Sequence, residues 1–155
     1  MSRFTDVLVV SPLADGRTWV TQKEFGYDVG KEGSGDSIDV PIGFMTDFAS
    51  VPRPLWAFLP RWGKYGNAAV IHDWCYWEQK RTRNRKKSDE IFREAMEALK
   101  VPKWKILLMY WAVRLGGGLA WAGNARMRKQ GKDRVAAVMP EKSIETAASL
   151  REKKK

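Results

Sequence analysis

AAVIHDWCYW, residues 68–77, is an apolar run broken by a histidine and an aspartate side by side, and its reading decides the fold. Taken as a helix that starts near Asn67, a good cap, it sets Val70, Trp74 and Trp77 on one stripe. Ala69, His72 and Tyr76 form the adjacent stripe. A helix apolar on most of its sides is a buried helix. His72 is the only histidine of the chain. The helical repeat turns Asp73 about 100° away from it, so the two neighbours face two adjoining sites.

Downstream, KRTRNRKK (80–87) makes the connection to a second helix. Ser88 reads as its cap, with Asp89 and Glu90 in the first turn complementing the helix dipole. Ile91/Phe92, Ala95/Met96 and Ala98/Leu99 keep a helical period. Val101-Pro102 breaks that helix and opens a third. In it Trp104, Leu107, Leu108, Trp111, Ala112 and Leu115 recur at helical spacing and read as a core stripe. Gly116-Gly117-Gly118 is expected to end it, with LAWAGN as one more turn at most.

Upstream, residues 1–45 read as strands. VLVV (7–10) is a short buried run ended by Ser11-Pro12, and Asp15-Gly16 is a turn signal. RTWVTQKEFGYDVG follows with partial alternation, KEGSGDS (31–37) is a connection, and IDVPIGF is a strand whose proline favours an edge or a strand end. Residues 46–66 read as a structured loop. The expected fold is α+β: a small N-terminal antiparallel sheet, then an antiparallel helix pair and a third packed helix. Residues 1–123 form one globular domain, and 124–155 a basic, weakly structured tail with a short fraying helix near its end.

Composition narrows the chemistry. The chain has 155 residues, 44% of them hydrophobic, which suits one folded domain. A single cysteine excludes an internal disulfide framework, and with one histidine it excludes thiolate zinc. Cys75 reads as a small buried apolar residue. Any metal would be held by oxygen, which means Ca²⁺ or Mg²⁺. The opening residues lack a signal-peptide pattern, and the apolar run 106–121 is interrupted by Arg114 and three glycines, so no transmembrane segment is expected. A protein made in a cytosol follows.

The net charge of +10 is local: residues 80–87 hold six basic side chains and no acid, while residues 1–50 hold eight acids against four bases. Lys80, Arg81, Arg83, Arg85, Lys86 and Lys87 could contact a polyanion, or simply be solvated. In RPLWAFLPRW, Trp56 and Trp62 beside Arg53 and Arg61 suit a lipid interface or, equally, core packing under a proline-rich loop.

Asp89 extends the buried stripe of the second helix, and antiparallel packing would carry it to His72. A carboxylate on one imidazole nitrogen fixes the tautomer and leaves the other nitrogen to take a proton from water. Asp73 would then be available to a hard cation. Asp47, in a loop of small residues, is the natural second carboxylate, with backbone carbonyls completing an oxygen shell. The plainer readings are that Asp89 serves the helix dipole, Asp73 a salt bridge, and Asp47 a turn.

HDWCY followed by SDEIF resembles the His-Asp-x-x-Tyr helix and downstream aspartate helix of secreted-type phospholipase A2 enzymes, and TDFAS their aspartate-bearing calcium loop in the bacterial and fungal branch. VPIGFMTDFASVPRPLW, AAVIHDWCYW, SDEIFREAM and MYWAVRLGG, in that order, also resemble a tailed-bacteriophage family over about residues 38–118. The first resemblance implies that His72 activates a water, that Asp89 orients His72, and that Tyr76 hydrogen-bonds Asp89. It implies that Asp73 and Asp47, with carbonyls near Phe48, hold Ca²⁺ for hydrolysis of a phospholipid ester. The disulfides and Gly-rich calcium loop of the animal enzymes are absent, and the His72-to-Asp89 spacing is short. Implied partners are an anionic phospholipid surface at a host membrane and phage virion proteins. Nucleic acid ranks behind them, because no recognition motif accompanies the basic run. The alternative is a non-enzymatic virion or assembly protein with a structural His-Asp network.

Overall fold

The computed structural model of the chain describes residues 3–48, 63–141 and 144–153. The architecture is α+β: small antiparallel sheets followed by three main helices and a short fourth. The strands are β1 (Val10–Pro12), β2 (Trp19–Thr21), β3 (Phe25–Asp28), β4 (Ser37–Val40) and β5 (Met45–Thr46). The helices are α1 (Gly66–Glu78), α2 (Arg85–Ala98), α3 (Lys103–Lys129) and α4 (Ala147–Glu152). The expected single sheet is two: β1-β2-β5 and the hairpin β3-β4.

The β1–β2 turn forms where Asp15-Gly16 signals it. The Asp15 carboxylate accepts the Arg17 and Thr18 amides at 3.1 and 2.8 Å, and Gly16 takes the positive φ of +71° that favours glycine. VLVV is not a buried strand: Val7 is 71% exposed, and the pairing starts at Val10 and includes Pro12. Pro12 fits because β1 is an edge strand. The long run 17–30 divides into β2 and β3, which lie in different sheets. β4 stops at Val40, before Pro41.

Two helix boundaries move. α1 starts at Gly66, so Asn67 lies one residue inside it. α2 is capped by Asn84, whose side chain accepts from the Lys87 amide at 2.9 Å, a turn ahead of the expected Ser88. Ser88 instead is buried in the first turn and donates to the Asn84 carbonyl at 3.1 Å. The earlier start makes Arg85, Lys86 and Lys87 helical rather than part of the connection. Only residues 79–84 then join α1 to α2, a link short enough to lay the two helices side by side and antiparallel. The stripe Ile91, Phe92, Ala95 and Met96 is buried as its period requires.

α3 departs most from its sequence reading. It continues through Gly116–Gly118 to Lys129. Three interior glycines weaken a helix by about 1 kcal/mol each relative to alanine. Hydrogen bonds to the end of α1 hold this stretch: Gln79 Nε2 donates to the Trp121 carbonyl at 2.7 Å, Asn124 Nδ2 to Tyr76 O at 3.1 Å, and Arg128 to Glu78 O at 2.6 Å. The last two satisfy carbonyls that the C-terminus of α1 leaves without helical partners. The face that α3 buries carries Ile106, Met109 and Val113. Trp104, Leu107, Trp111 and Leu115, read as core, are 58, 54, 57 and 84% exposed.

The main core packs β3, β4, α1 and α2 together, with Tyr27, Ile38, Phe44, Phe48, Ile71 and Phe92 within it. A smaller cluster joins Leu13, Val20 and Met45 to Ala147 and Leu150 of α4. The tail is therefore not loose where it is described. The boundary expected at 123 falls inside α3, Val135 bridges Phe44, and α4 is closed at its start by a capping box of Thr146 and Ser149.

Candidate active site

α1 and α2 meet at a buried ionic centre. His72 on α1 and Asp89 in the first turns of α2 are 2% and 0% exposed. His72 Nε2 lies 2.8 Å from Asp89 Oδ1. Tyr76, one turn after His72, donates its hydroxyl to the same oxygen at 2.7 Å. Arg114 of α3 donates to the other oxygen, Oδ2, at 2.7 Å, and Arg85 stands 3.6 Å from it. Three helices thus converge on one carboxylate. Burial alone would raise the Asp89 pKa; hydrogen bonds from His72, Tyr76 and Arg114 outweigh it and hold the carboxyl below its ordinary value. Burial and the bond to Asp89 push the Tyr76 phenol up, so it stays a donor.

The arrangement fixes a tautomer. An ionised Asp89 is an acceptor only, so Nε2 must carry the proton of the neutral ring. Nδ1 is then the basic nitrogen. His72 also borders a cleft of about 750 Å³ lined in part by Asp47, Asp73, Tyr76, Arg134 and the α3 residues Val113 and Gly117. Gly117 is there for space: a β-carbon at this position would sit 2.3 Å from the Tyr76 hydroxyl. Tyr76 can reach Asp89 only because α3 has no side chain there.

The second carboxylate of the motif lines the same cleft but turns toward β5. Asp73 is buried, and its Oδ2 accepts a 2.5 Å hydrogen bond from Thr46 Oγ1 of β5. The same Thr46 oxygen accepts the Phe48 amide at 3.2 Å. Burial raises the Asp73 pKa first and the like charge of Asp47 raises it further, with Arg134 and Thr46 opposing. Asp47 pairs with Arg134 at 3.6 Å, and the Arg134 Nε donates to the Met45 carbonyl at 3.1 Å. Phe48 holds a left-handed backbone, φ +50°, beside Asp47. For a bulky residue that conformation costs about 1–3 kcal/mol and persists only where its surroundings impose it. Two carboxylates and a hydroxyl are hard oxygen donors of the kind Ca²⁺ takes. The set is thin, however: among the described residues no group of three or more His, Cys, Asp or Glu side chains converges.

The structure thus brings His72, Asp89 and Tyr76 together, and Asp47 close to Asp73. Other expected residues lie elsewhere. Arg83 is buried and pairs with Asp36 and the Ser37 carbonyl, so it is no polyanion contact. Arg85 is spent on the Val113 and Arg114 carbonyls at 3.3 and 3.0 Å. Both are drawn inward by acceptors that composition does not reveal. Lys80, Arg81, Lys86 and Lys87 stay at the exposed surface. Arg53, Trp56, Arg61 and Trp62 lie outside the described residues. Cys75 is buried among apolar groups, and burial pushes its thiol up to about 12.

Arg114, Gly117, Thr46 and Arg134 were not singled out from sequence. Arg114 did leave a signal, as the lone charge within an apolar helical run, which implies a buried acid to meet it. The chain belongs to the family described as Protein of unknown function (DUF1353). That family matches residues 19–113, which include His72, Asp73, Tyr76, Asp89 and Asp47 and stop one residue short of Arg114. A relative, "Uncharacterized protein y4jT" of Sinorhizobium fredii (strain NBRC 101917 / NGR234), is 35% identical over 96 residues. That segment is 61% of this chain and 27% of the relative, so the chain matches about a quarter of its length. No solved structure matches.

Proposed function

We propose that this DUF1353 chain is a hydrolase of phospholipid esters, with His72 as general base and Asp89 and Tyr76 as the groups that position it. The supporting observation is the imidazole held through Nε2 by a fully buried, thrice hydrogen-bonded carboxylate at the edge of a cleft large enough for a ligand. In the reaction, Nδ1 takes a proton from water, the hydroxide oxygen adds to the ester carbonyl, and the imidazolium returns the proton to the departing alcohol. Asp89 stabilises the imidazolium without itself being protonated. Arg114 keeps Asp89 ionised while it does so.

Ca²⁺ is proposed at Asp73 and Asp47, two hard carboxylate donors that line the same cleft as His72. Bound there, a cation would polarise the ester carbonyl and neutralise charge on the phosphate. A tailed-phage setting, with the enzyme made in the host cytosol and acting at the host membrane or carried in the virion, suits such an activity.

One observation favours a second reading, a purely structural network in a phage assembly protein: Asp89 is so fully satisfied that it needs no reaction to account for it. Release of fatty acid from phosphatidylglycerol vesicles with added Ca²⁺ separates the two. The hydrolase reading expects activity in the wild type, a loss of about 10²–10⁴-fold in His72→Gln, and a similar loss in Asp89→Asn. Equal turnover by wild type and His72→Gln removes the base from the mechanism, and a wild type inert on every ester leaves the structural reading.

A further inference from the structure

A soluble globular surface does not ordinarily carry one long unpartnered apolar ridge. α3 does. Trp104, Leu107, Trp111, Leu115 and Leu119 are 58, 54, 57, 84 and 86% exposed. At 100° per residue they fall within about 120° of one another, and from Trp104 to Leu119 the ridge runs about 22 Å. Ile106, Met109 and Val113 lie on the opposite, buried face. The helix is long and apolar enough to cross a membrane, yet hydrogen bonds from its inner face to Asp89, Gln79, Tyr76 and Glu78 tie it to the rest of the fold. It can lie on an interface without leaving the domain.

We infer that the outer face of α3 seats the protein on an anionic lipid surface, with the tryptophan and leucine ridge sunk among the acyl chains. The charge pattern selects this occupant. The 27 residues of α3 include no acid and six bases. Arg114 is held by Asp89 and Arg128 by the α1 carbonyls, and the other four stand at the two ends of the ridge: Lys103 and Lys105 flank Trp104, and Arg126 and Lys129 follow Leu119. Lys105 also stands 5.4 Å over the Trp104 ring. An apolar centre between cationic ends matches acyl chains between anionic headgroups. A second copy of this face would set those like charges against each other. Position supports the same choice, since Ala112, Gly116, Gly117 and Ala120 of the same helix line the cleft beside His72. A lipid drawn past the small side of α3 would enter the proposed site directly. The choice of lipid rests in part on the hydrolase reading, and it adds to that reading an aggregated, anionic form of the substrate.

The test is co-sedimentation with vesicles of phosphatidylglycerol and phosphatidylcholine, beside vesicles of phosphatidylcholine alone, with tryptophan emission followed in parallel. The wild type should bind the anionic vesicles with a blue shift and bind the zwitterionic ones at least ten-fold more weakly. Leu115→Glu with Leu119→Glu, both at open positions, should keep the circular dichroism of the fold and lose binding at least ten-fold. His72→Gln should bind as the wild type does, so failure of hydrolysis and failure of docking are told apart. The proposal is overturned if the wild type ignores anionic vesicles or if the double variant binds them unchanged. It is equally overturned if the face is filled by a second copy, seen as a dimer that the double substitution turns into a monomer without affecting vesicle binding.

Discussion

Each acid of this site has its own electrostatic surroundings, and pH separates them. Asp73 is raised, by burial and then by Asp47. A raised carboxyl binds its proton more tightly in the folded state, so its stabilising contribution is full at acid pH and is lost as pH rises through the folded value. Asp73→Asn should therefore stabilise the fold at neutral pH and lose that advantage below about pH 4, where Asp73 is protonated in the unfolded chain as well. Urea titrations of both proteins at the two pH values check this, and a variant less stable than wild type at pH 7 refutes it. The same substitution tests the cation. Millimolar Ca²⁺ should raise the wild-type melting temperature and leave that of Asp73→Asn unmoved; an equal rise in both places the ion elsewhere. Asp89 behaves in the opposite sense. Its lowered pKa means stability that is present above the usual carboxyl range and is lost as pH falls through the folded value.

Helix α3 shows what periodicity can and cannot decide. Apolar residues fall on both of its sides, so the repeat alone indicated a helix but not which side faces inward. The ridge of Trp104, Leu107, Trp111 and Leu115, a core stripe by its spacing, faces out. The three glycines looked like a stop for the equally good reason that glycine weakens helices. Their environments separate them. A β-carbon at Gly116 or Gly118 meets nothing within 4 Å, whereas at Gly117 it strikes the Tyr76 hydroxyl at 2.3 Å. Gly116→Ala and Gly118→Ala should each stabilise by about 0.4–1 kcal/mol. Gly117→Ala should destabilise by about 1–3 kcal/mol, and Tyr76→Phe, by removing the struck oxygen, should recover part of that loss in a double-mutant cycle. Melting curves of the four single variants and the Gly117→Ala/Tyr76→Phe double variant decide it, and three alanines with equal effects would contradict the packing described. By contrast α2 was legible. Its stripe from Ile91 to Met96 and the reach of Asp89 toward His72 both followed from one-sided patterning; only its cap moved, because Asn84 and Ser88 are both good caps and sequence does not choose between them.

At the scale of the molecule, the helix pair that holds His72 was readable because local pattern and burial agree there, whereas the division of the strands into two sheets was not. Nor was the return of the tail. Residues 130–153 hold five bases, four acids and one short apolar run at 135–139, and nothing local says that Val135 bridges Phe44 or that Arg134 reaches Asp47. Those contacts depend on an apolar patch formed by Leu13, Val20 and Met45, which exists only once β1, β2 and β5 have paired. Leu150, fully buried in that patch, should therefore matter to the whole fold: Leu150→Ala should lower stability by about 2–5 kcal/mol. An unchanged urea midpoint would instead make α4 a detachable appendage. The family match ends at Val113, so the tail, Arg114 and Arg134 lie beyond it.

The chain has one histidine, so its imidazole can be observed without ambiguity. Nitrogen-15 chemical shifts of that ring, followed from pH 5 to pH 9, report which nitrogen keeps the proton. Held by Asp89, the neutral ring should be the Nε2–H tautomer with Nδ1 unprotonated, and Asp89→Asn should disturb that preference. A neutral ring protonated at Nδ1 in the wild type would contradict the grip of Asp89 on His72, and with it the general base.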